Sequence, residues 1–536
     1  MTASTASTTA AAAEYDYVVV GGGTAGGIVA ARLSEDPSVT VGLLEWGPSD
    51  RDEGRARSIR RWEEMIESEY DLDYRSVPQE RGNSTIRQSR MRILGGCSTA
   101  NTMIAWRPPA SDLDEWVAAG ATGWDAASFQ PYYDRLRIPI HPVGRPDRNP
   151  FVADVVASAV AALDLPLQER WNDGRTDTLA RGAGFFEVGY DPQTNVRGSS
   201  SIHYLHDVMD DRASLDVITG ARAERVVVDG GRAVAVVYRS ADGELRTVRA
   251  RREIVLACGA IDTPRLLLLS GIGPASVLEA AGVAVVLDLP GVGENLQDHA
   301  EGLVVWEAVS APPAISASGW DAGAMVGVEG DPTKADVLMH FPVEPVVDHP
   351  RARGVSFPST IVAIAPNVAK PHSRGRVTIA SADPAEPPVI DYRYFTDAAG
   401  HDERMLVAGV RLARRIAEAE PMRSHLVREV FPGPEVQTDE ELSAVQRDIH
   451  QTVYHVSGTC RIGAADDALA VVDPSLRVRG IDGLRIADAS VFPTLTSVNP
   501  VITVMMVAER AAELIADSPV LVANGGVRRL RTPETQ

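Results

Sequence analysis

The sequence predicts an α/β protein built on a parallel sheet, with a second, α+β region inserted into it on an antiparallel sheet. Three observations predict this. The apolar run Tyr17-Val18-Val19-Val20 leads through a glycine cluster into a helical stretch, Ile28 to Leu33. A second strand-to-helix switch lies at Glu253 to Ala260. Residues 303–450 differ in texture, with short strands, proline-rich loops and one long helical stretch, His401 to Ala419. Strand-turn-helix then resumes in 480–517.

Taken in order, residues 1–13 (MTASTASTTAAAA) lack the basic start and long apolar run of a signal peptide and read as a disordered tail. Tyr17 to Val20 reads as a buried parallel strand, since such strands are apolar on both faces. Val39 to Glu45 reads as the second strand. Leu215 to Val228 and Ala233 to Arg249 read as a meander, with turns at Asp229-Gly230-Gly231 and Asp242-Gly243. After the second switch, Thr263-Pro264-Arg265 read as a helix start and Gly271 as its stop, the expected asymmetry of Pro and Gly. Leu484 to Asp488 reads as a late strand, followed by a loop and a helix from Val501 to Ile515. The expected division is a nucleotide-binding domain from 14–149, 190–300 and 453–517, a substrate-binding domain from 150–189 and 301–452, and a C-terminal tail from 518.

Size and composition bound the function. The 536 residues are 44% hydrophobic, enough for a large core, and allow about three domains or a large two-domain enzyme. The net charge of -21 argues against nucleic acid and anionic membrane surfaces as partners. No run of about 18 uncharged apolar residues suggests a membrane span. Cys97, Cys258 and Cys460 make neither a disulfide framework nor a metal-binding pair, which reads as a reducing, cytoplasmic setting with no metal.

The glycine cluster Gly21-Gly22-Gly23-Thr24-Ala25-Gly26 is a Rossmann-like dinucleotide fingerprint. The spacing alone is weak. Here it follows an apolar strand, precedes a helix, and has Glu45 ending the next strand, 24 residues after Gly21. Gly21 makes the tight turn, Gly23 lets the backbone approach a pyrophosphate, and Gly26 lets helix pack on strand. Thr24 and Ala25 place helix N–H groups at the phosphates. Glu45 can accept from a ribose diol. Two features favour FAD over NAD, because they imply a long cofactor touched by both ends of the chain. One is a second glycine turn, Gly95-Gly96. The other is Asp488-Ala489-Ser490, ending a C-terminal strand before a helix.

These segments together resemble the glucose-methanol-choline (GMC) oxidoreductase family. The matching stretches include Val18 to Gly47, Gly95 to Asn101, Ala257 to Gly273, Gly291 to His299, Ser373-Arg374-Gly375, Tyr454 to Thr459 and Ala487 to Met506. Further segments, such as Ala121-Thr122-Gly123-Trp124 and Tyr394-Phe395-Thr396-Asp397, resemble its choline-oxidising branch. The resemblance implies FAD, hydride transfer from an alcohol carbon, reoxidation by O2 to give peroxide, and a homodimer. It implies His455 as the main active-site histidine and Asn499 as its partner, where some relatives carry a second histidine. A group that titrates near neutrality suits removal of the hydroxyl proton. Pro500 and Val501 would bring a helix N-terminus to the flavin, and Ser98, Ala100, Asn101, Thr102 and Ala223 would also flank the cofactor.

By the same resemblance Trp62, Trp320, Tyr454 and Glu301 form a cage for a trimethylammonium group, with His299 and His340 as further active-site histidines and Val453 guiding oxygen. Taken alone, each tryptophan fits ordinary packing and Glu301 a solvated loop acid. Two departures stand out. Ala100 occupies the position of a histidine that bonds covalently to the flavin, so FAD is expected to be non-covalent, with a lower potential and slower hydride transfer. Thr102 replaces a serine, and the short, proline-rich stretch 138–150 implies a different pocket rim. The expected activity is therefore choline-like alcohol oxidation. A broad primary-alcohol oxidase, a dehydrogenase with another electron acceptor, and a lyase using flavin as scaffold are the alternatives.

Overall fold

The computed structural model describes residues 12–82, 86–173, 181–329 and 334–518, with the backbone of 520–521 and 527–528. Most of both expected tails lies outside these residues. The N-terminal apolar run forms β1 (Ala13–Val20), which starts within the last residue assigned to the tail. It pairs in parallel with β2 (Val41–Leu44) on one side and β3 (Leu245–Leu256) on the other. Val18, Val19, Leu43 and Val255 are fully shielded, as expected of strands covered on both faces. At the far edge of β3 the sheet branches to β4 (Leu484–Ile486) in parallel and to the antiparallel hairpin Arg222–Asp229/Arg232–Arg239.

Leu215–Ile218 is not a leg of the meander but a parallel strand beside β2. Val41 and Glu45 N–H donate to the carbonyls of Ser214 and Ile218, so long-range pairing overrides the local pattern.

Helix α1 (Gly26–Leu33) follows the first glycine turn, α2 (Gly259–Leu269) follows β3, and α3 (Val501–Ala516) closes the chain's ordered core. The start expected at Thr263 falls four residues earlier in the structure, at Gly259, so Pro264 lies inside α2. A proline there leaves the carbonyl of Ala260 without its usual N–H donor. Thr459 Oγ1 donates to that carbonyl at 2.7 Å and keeps the first turn intact. Gly271, with φ +78, ends the helix region as expected.

The second sheet is antiparallel throughout. Its order is Leu426–Phe431, Val304–Ala308, Ile361–Val368, Val337–His340, Ala322–Val326 and Gly182–Phe185. Ala300–Glu301 bridges Ile361–Val368 and Gln451–Thr452. The amphipathic helix His401–Glu418 lies across this sheet and buries Met405, Leu406, Val410 and Ile416. In this register Glu301 stands opposite Asn367, which is also paired with Leu338, two residues before His340. The α/β core with an antiparallel α+β region is the predicted class. No helix among the described residues is long and apolar enough to cross a membrane.

Candidate active site

A cavity of about 1130 Å³ runs between the two sheets. At one end it meets the carboxyl ends of β1 and β2, at Val20, Gly21, Leu44, Glu45 and Trp46. It passes Gly23-Thr24-Ala25, Gly96-Cys97 and Ala100-Asn101-Thr102, and reaches Glu301, His340, Val453-Tyr454-His455 and Asn499-Pro500-Val501 at the other end. Open α/β sheets bind ligands at this edge of the strands.

The first end is a cofactor cradle. Gly21 has φ +96, and a Cβ there would sit 2.6 Å from the carbonyl oxygen of Ala257. At Gly26 a Cβ would fall 1.8 Å from the carbonyl oxygen of Gly21. Gly96 approaches Gly23 so closely that a Cβ on it would lie 2.8 Å from the Gly23 Cα. The N-termini of α1 and α3 meet the cavity at Ala25 and Pro500, and neither has a side-chain cap. Uncapped N–H groups and helix dipoles favour anions there. A long groove, two bare helix starts and two glycine backbones in contact fit FAD.

The acids of the cradle are occupied by the protein itself. Glu45 accepts from the N–H of Gly22 at 2.8 Å and of Gly47 at 2.6 Å. Burial lifts its carboxyl to about 7. Asp488 accepts from Gly259 N–H, Thr263 Oγ1, Ser490 N–H and Ser490 Oγ, and so ties the end of β4 to the start of α2. Both line the cavity, with Ala223 and Ala489. Gly26, Gly95 and Ser98 lie behind the wall instead. Ser98 Oγ donates to the Gly95 carbonyl at 2.6 Å, and a Cβ on Gly95 would meet Ser201 Oγ at 2.5 Å.

The second end is a histidine chamber whose hydrogen bonds define one direction. His299 Nε2 lies 3.0 Å from the carbonyl of Thr496, so it carries the proton and leaves Nδ1 as acceptor. His299 Nδ1 is 2.9 Å from His455 Nδ1, which must then be the N–H donor. Trp106 Nε1–H donates to Asn499 Oδ1 at 3.1 Å, which fixes the Asn499 amide. Asn499 Nδ2 therefore donates to His455 Nε2 at 3.2 Å. His455 Nε2 is therefore the unprotonated nitrogen, and its lone pair accepts from Asn499, with both residues on the cavity wall. Burial, and then His299, His340 and Arg90, hold its pKa well below the ordinary value, not near neutrality as expected from the sequence. No carboxylate touches either ring nitrogen. Burial holds His299 at about 3, so it stays neutral.

His299 is fully buried and does not reach the cavity, which corrects its expected place among the substrate contacts. It supports His455 from behind. The remaining chamber residues converge as expected. Glu301 is 1% exposed; its Oε1 accepts from Gln451 Nε2 at 2.7 Å, and its Oε2 has no hydrogen-bond donor, with His340 Nδ1 3.5 Å away. Asn367 Nδ2 lies 3.1 Å from His340 Nδ1, and His340 Nε2 is buried without a partner. Trp320 packs edge-on to His340 with ring centres 5.5 Å apart. Trp62 donates from Nε1 to the Ser318 carbonyl at 2.8 Å, and Tyr454, in a left-handed backbone with φ 64, lines the opening beside Val453.

Several contributors have no local signature in the sequence: Trp106, Gln451, Asn367 and Arg90, whose guanidinium donates to the Tyr454 carbonyl at 2.9 Å. Asp298, in the Gly291 to His299 stretch, braces His455 from its backbone side. It accepts from the His455 N–H at 2.8 Å and from the Tyr394 hydroxyl, and burial raises it to about 6.

A dinucleotide cradle opening onto a buried imidazole chamber defines a flavin-dependent oxidoreductase. The chain belongs to the GMC oxidoreductase family, whose models match residues 15–301 and 371–508, and it acts on CH–OH groups. It is 44% identical to choline oxidase of Arthrobacter globiformis, over 94% of each chain. It is 32% identical to an alcohol dehydrogenase [acceptor] of Pseudomonas putida, covering 94% of this chain and 95% of that one. Among solved structures it is similar to pyridoxine 4-oxidase from Mesorbium loti, with a TM-score of 0.86 at 28% identity, over 93% of this chain and 98% of that one.

Proposed function

We propose that this protein is an alcohol oxidase for a primary alcohol bearing a quaternary ammonium group, choline or a close analogue, with dioxygen as electron acceptor. The observation that carries the reading is Glu301. A buried carboxylate with one oxygen free of donors, on a wall shared with Trp62, Trp320 and Tyr454, suits a cation that offers no N–H. The 44% identity to choline oxidase supports the same reading.

The balance is one alcohol and one O2 giving one aldehyde and one H2O2. FAD bound in the cavity supplies the two-electron acceptor for hydride from the alcohol carbon. The chain's own residues supply the rest. Glu301 and the aromatic faces hold the ammonium end. The alcohol hydroxyl displaces Asn499 Nδ2 from His455 Nε2, which takes the hydroxyl proton, and the released Asn499 Nδ2 and His340 Nε2 hold the oxygen. His299 Nδ1 accepts from His455 Nδ1–H and steadies the imidazolium that results. Because burial keeps His455 neutral beforehand, Nε2 carries no proton of its own at working pH and can accept the alcohol's in place of the Asn499 hydrogen bond.

Oxygen uptake by purified holoenzyme on choline and on neutral primary alcohols tests this. Turnover of neutral alcohols without choline turnover overturns the substrate; dye reduction without peroxide overturns the acceptor and favours the dehydrogenase reading, to which the 32% identity with an acceptor-dependent alcohol dehydrogenase lends weight. We also take FAD to be held without a covalent bond, since Ala100 offers only a methyl group to the cavity. Acid precipitation is then expected to leave the yellow colour in the supernatant, and a yellow pellet overturns it.

A further inference from the structure

Behind the cofactor cradle lies a cation that the reading above does not use. Arg197 is 0% exposed. Its Nη1 donates to the carbonyls of Asn101 at 2.7 Å and Ser98 at 3.1 Å, and its Nη2 to the carbonyl of Ser58 at 3.2 Å. Its Nε is buried without a partner. Every acceptor is thus a neutral peptide oxygen, and no carboxylate forms an ion pair with it among the described residues. Burial alone draws its pKa down to about 9, with no neighbouring charge countering. A buried charge without a counter-charge is strongly unfavourable, and folds retain one where an opposite charge arrives from elsewhere.

The residues it grips point to where that charge comes from. Ser98 and Asn101 bracket the turn that walls the cradle, and Ser58 precedes the short helix Ile59–Met65 that carries Trp62. In a trans peptide the C=O and N–H point in opposite directions. Drawing the Asn101 carbonyl onto Arg197 therefore turns the Thr102 N–H the other way, and Thr102 lines the cavity. One side chain sets the aim of a cavity-side donor and adds a full positive charge one backbone layer behind it.

We infer that Arg197 is a positioning residue for the flavin: it holds the 98–101 turn and supplies the counter-charge to the anionic cofactor, favouring the reduced, anionic form. This rests on FAD occupying the cradle and not on the choice of alcohol. The test is Arg197→Met and Arg197→Lys, each purified with FAD. FAD dissociation constants, the dissociation constant of the sulfite adduct and the two-electron midpoint potential are measured beside thermal unfolding of the apoproteins. Removal of the charge is expected to weaken both FAD and sulfite binding by about tenfold, which for the potential is about 30 mV downward. Arg197→Lys, which keeps the charge, is expected to recover most of the sulfite affinity and potential. If both variants lose thermal stability alike while sulfite affinity and potential stay at the parent values, Arg197 is only a brace and the inference fails. If Arg197→Lys falls as far as Arg197→Met in potential, charge is not the cause and it also fails. Failure of the parent holoenzyme to turn over choline, with the variants' sulfite affinity and potential shifted as expected, would touch the substrate reading alone.

Discussion

The two ends of the cavity are furnished in opposite ways. At the cradle the polar side chains are already satisfied: Glu45 by Gly22 and Gly47, Asp488 by four donors from the starts of two helical segments. What remains open there is backbone, at the uncapped starts of α1 and α3. In the chamber side-chain atoms are left open, Glu301 Oε2 and His340 Nε2, while His455 Nε2 is held only by the amide of Asn499. The cradle recognises a group common to many enzymes with atoms that any sequence possesses. The chamber distinguishes one alcohol from another with atoms only particular side chains provide. The cost of exposed polar atoms inside a protein is thus concentrated where discrimination is needed.

Breaking the chamber should affect chemistry far more than folding. His455→Ala is expected to lower kcat by about 10²–10⁴-fold, the range for loss of a general base, with FAD still bound; rapid-mixing reduction of the flavin under anaerobic conditions measures it. Glu301→Gln keeps the shape and removes the charge. A fall of about 100-fold in kcat/KM for choline, carried by KM, is expected beside little change for a neutral alcohol of similar size; equal losses on both substrates would remove Glu301 from cation recognition.

Breaking the cradle should affect stability instead, and with a definite pH sign. Burial raises the Glu45 carboxyl from 4.5 to about 7. Below 4.5 it is protonated in folded and unfolded chains alike, and no stability is lost. As pH rises through 7, the unfolded chain has released a proton that the folded chain releases only reluctantly, so stability is lost across that window. Glu45→Gln does not titrate and is expected to gain on the parent by up to about 3 kcal/mol over the same window, measured by urea unfolding of the apoproteins at each end. A constant difference would mean that Glu45 is ionised throughout. The smallest effect is expected from Thr459→Val, which strips the donor from the Ala260 carbonyl: about 1 kcal/mol of stability lost with kcat unchanged.

What was legible in the sequence follows the range of the forces involved. Gly21, Gly23 and Gly26 are readable because their roles depend on a tight turn and its immediate neighbours. Glu301, His455 and Asn499 were placed by likeness to relatives, and the fold brings them to one wall from segments nearly 200 residues apart. The start of α2 is not legible locally, because the group that accommodates Pro264 is Thr459, almost 200 positions later. His299 reads as a substrate contact in sequence, yet it is one imidazole further back, a difference only tertiary packing decides. Arg197 carries no local pattern, since its partners at 58, 98 and 101 are peptide carbonyls, which no side-chain motif encodes.

The strand order of the central sheet has a consequence for how the protein is made. β1 lies two places from β4, which is synthesised more than 460 residues later, with β3 between them. Asn499 and the start of α3 line the same cavity as the first glycine turn. A nascent chain that has made the glycine turn but not yet residues 499–501 lacks part of that wall, so the cavity can close around flavin only once both segments have been made.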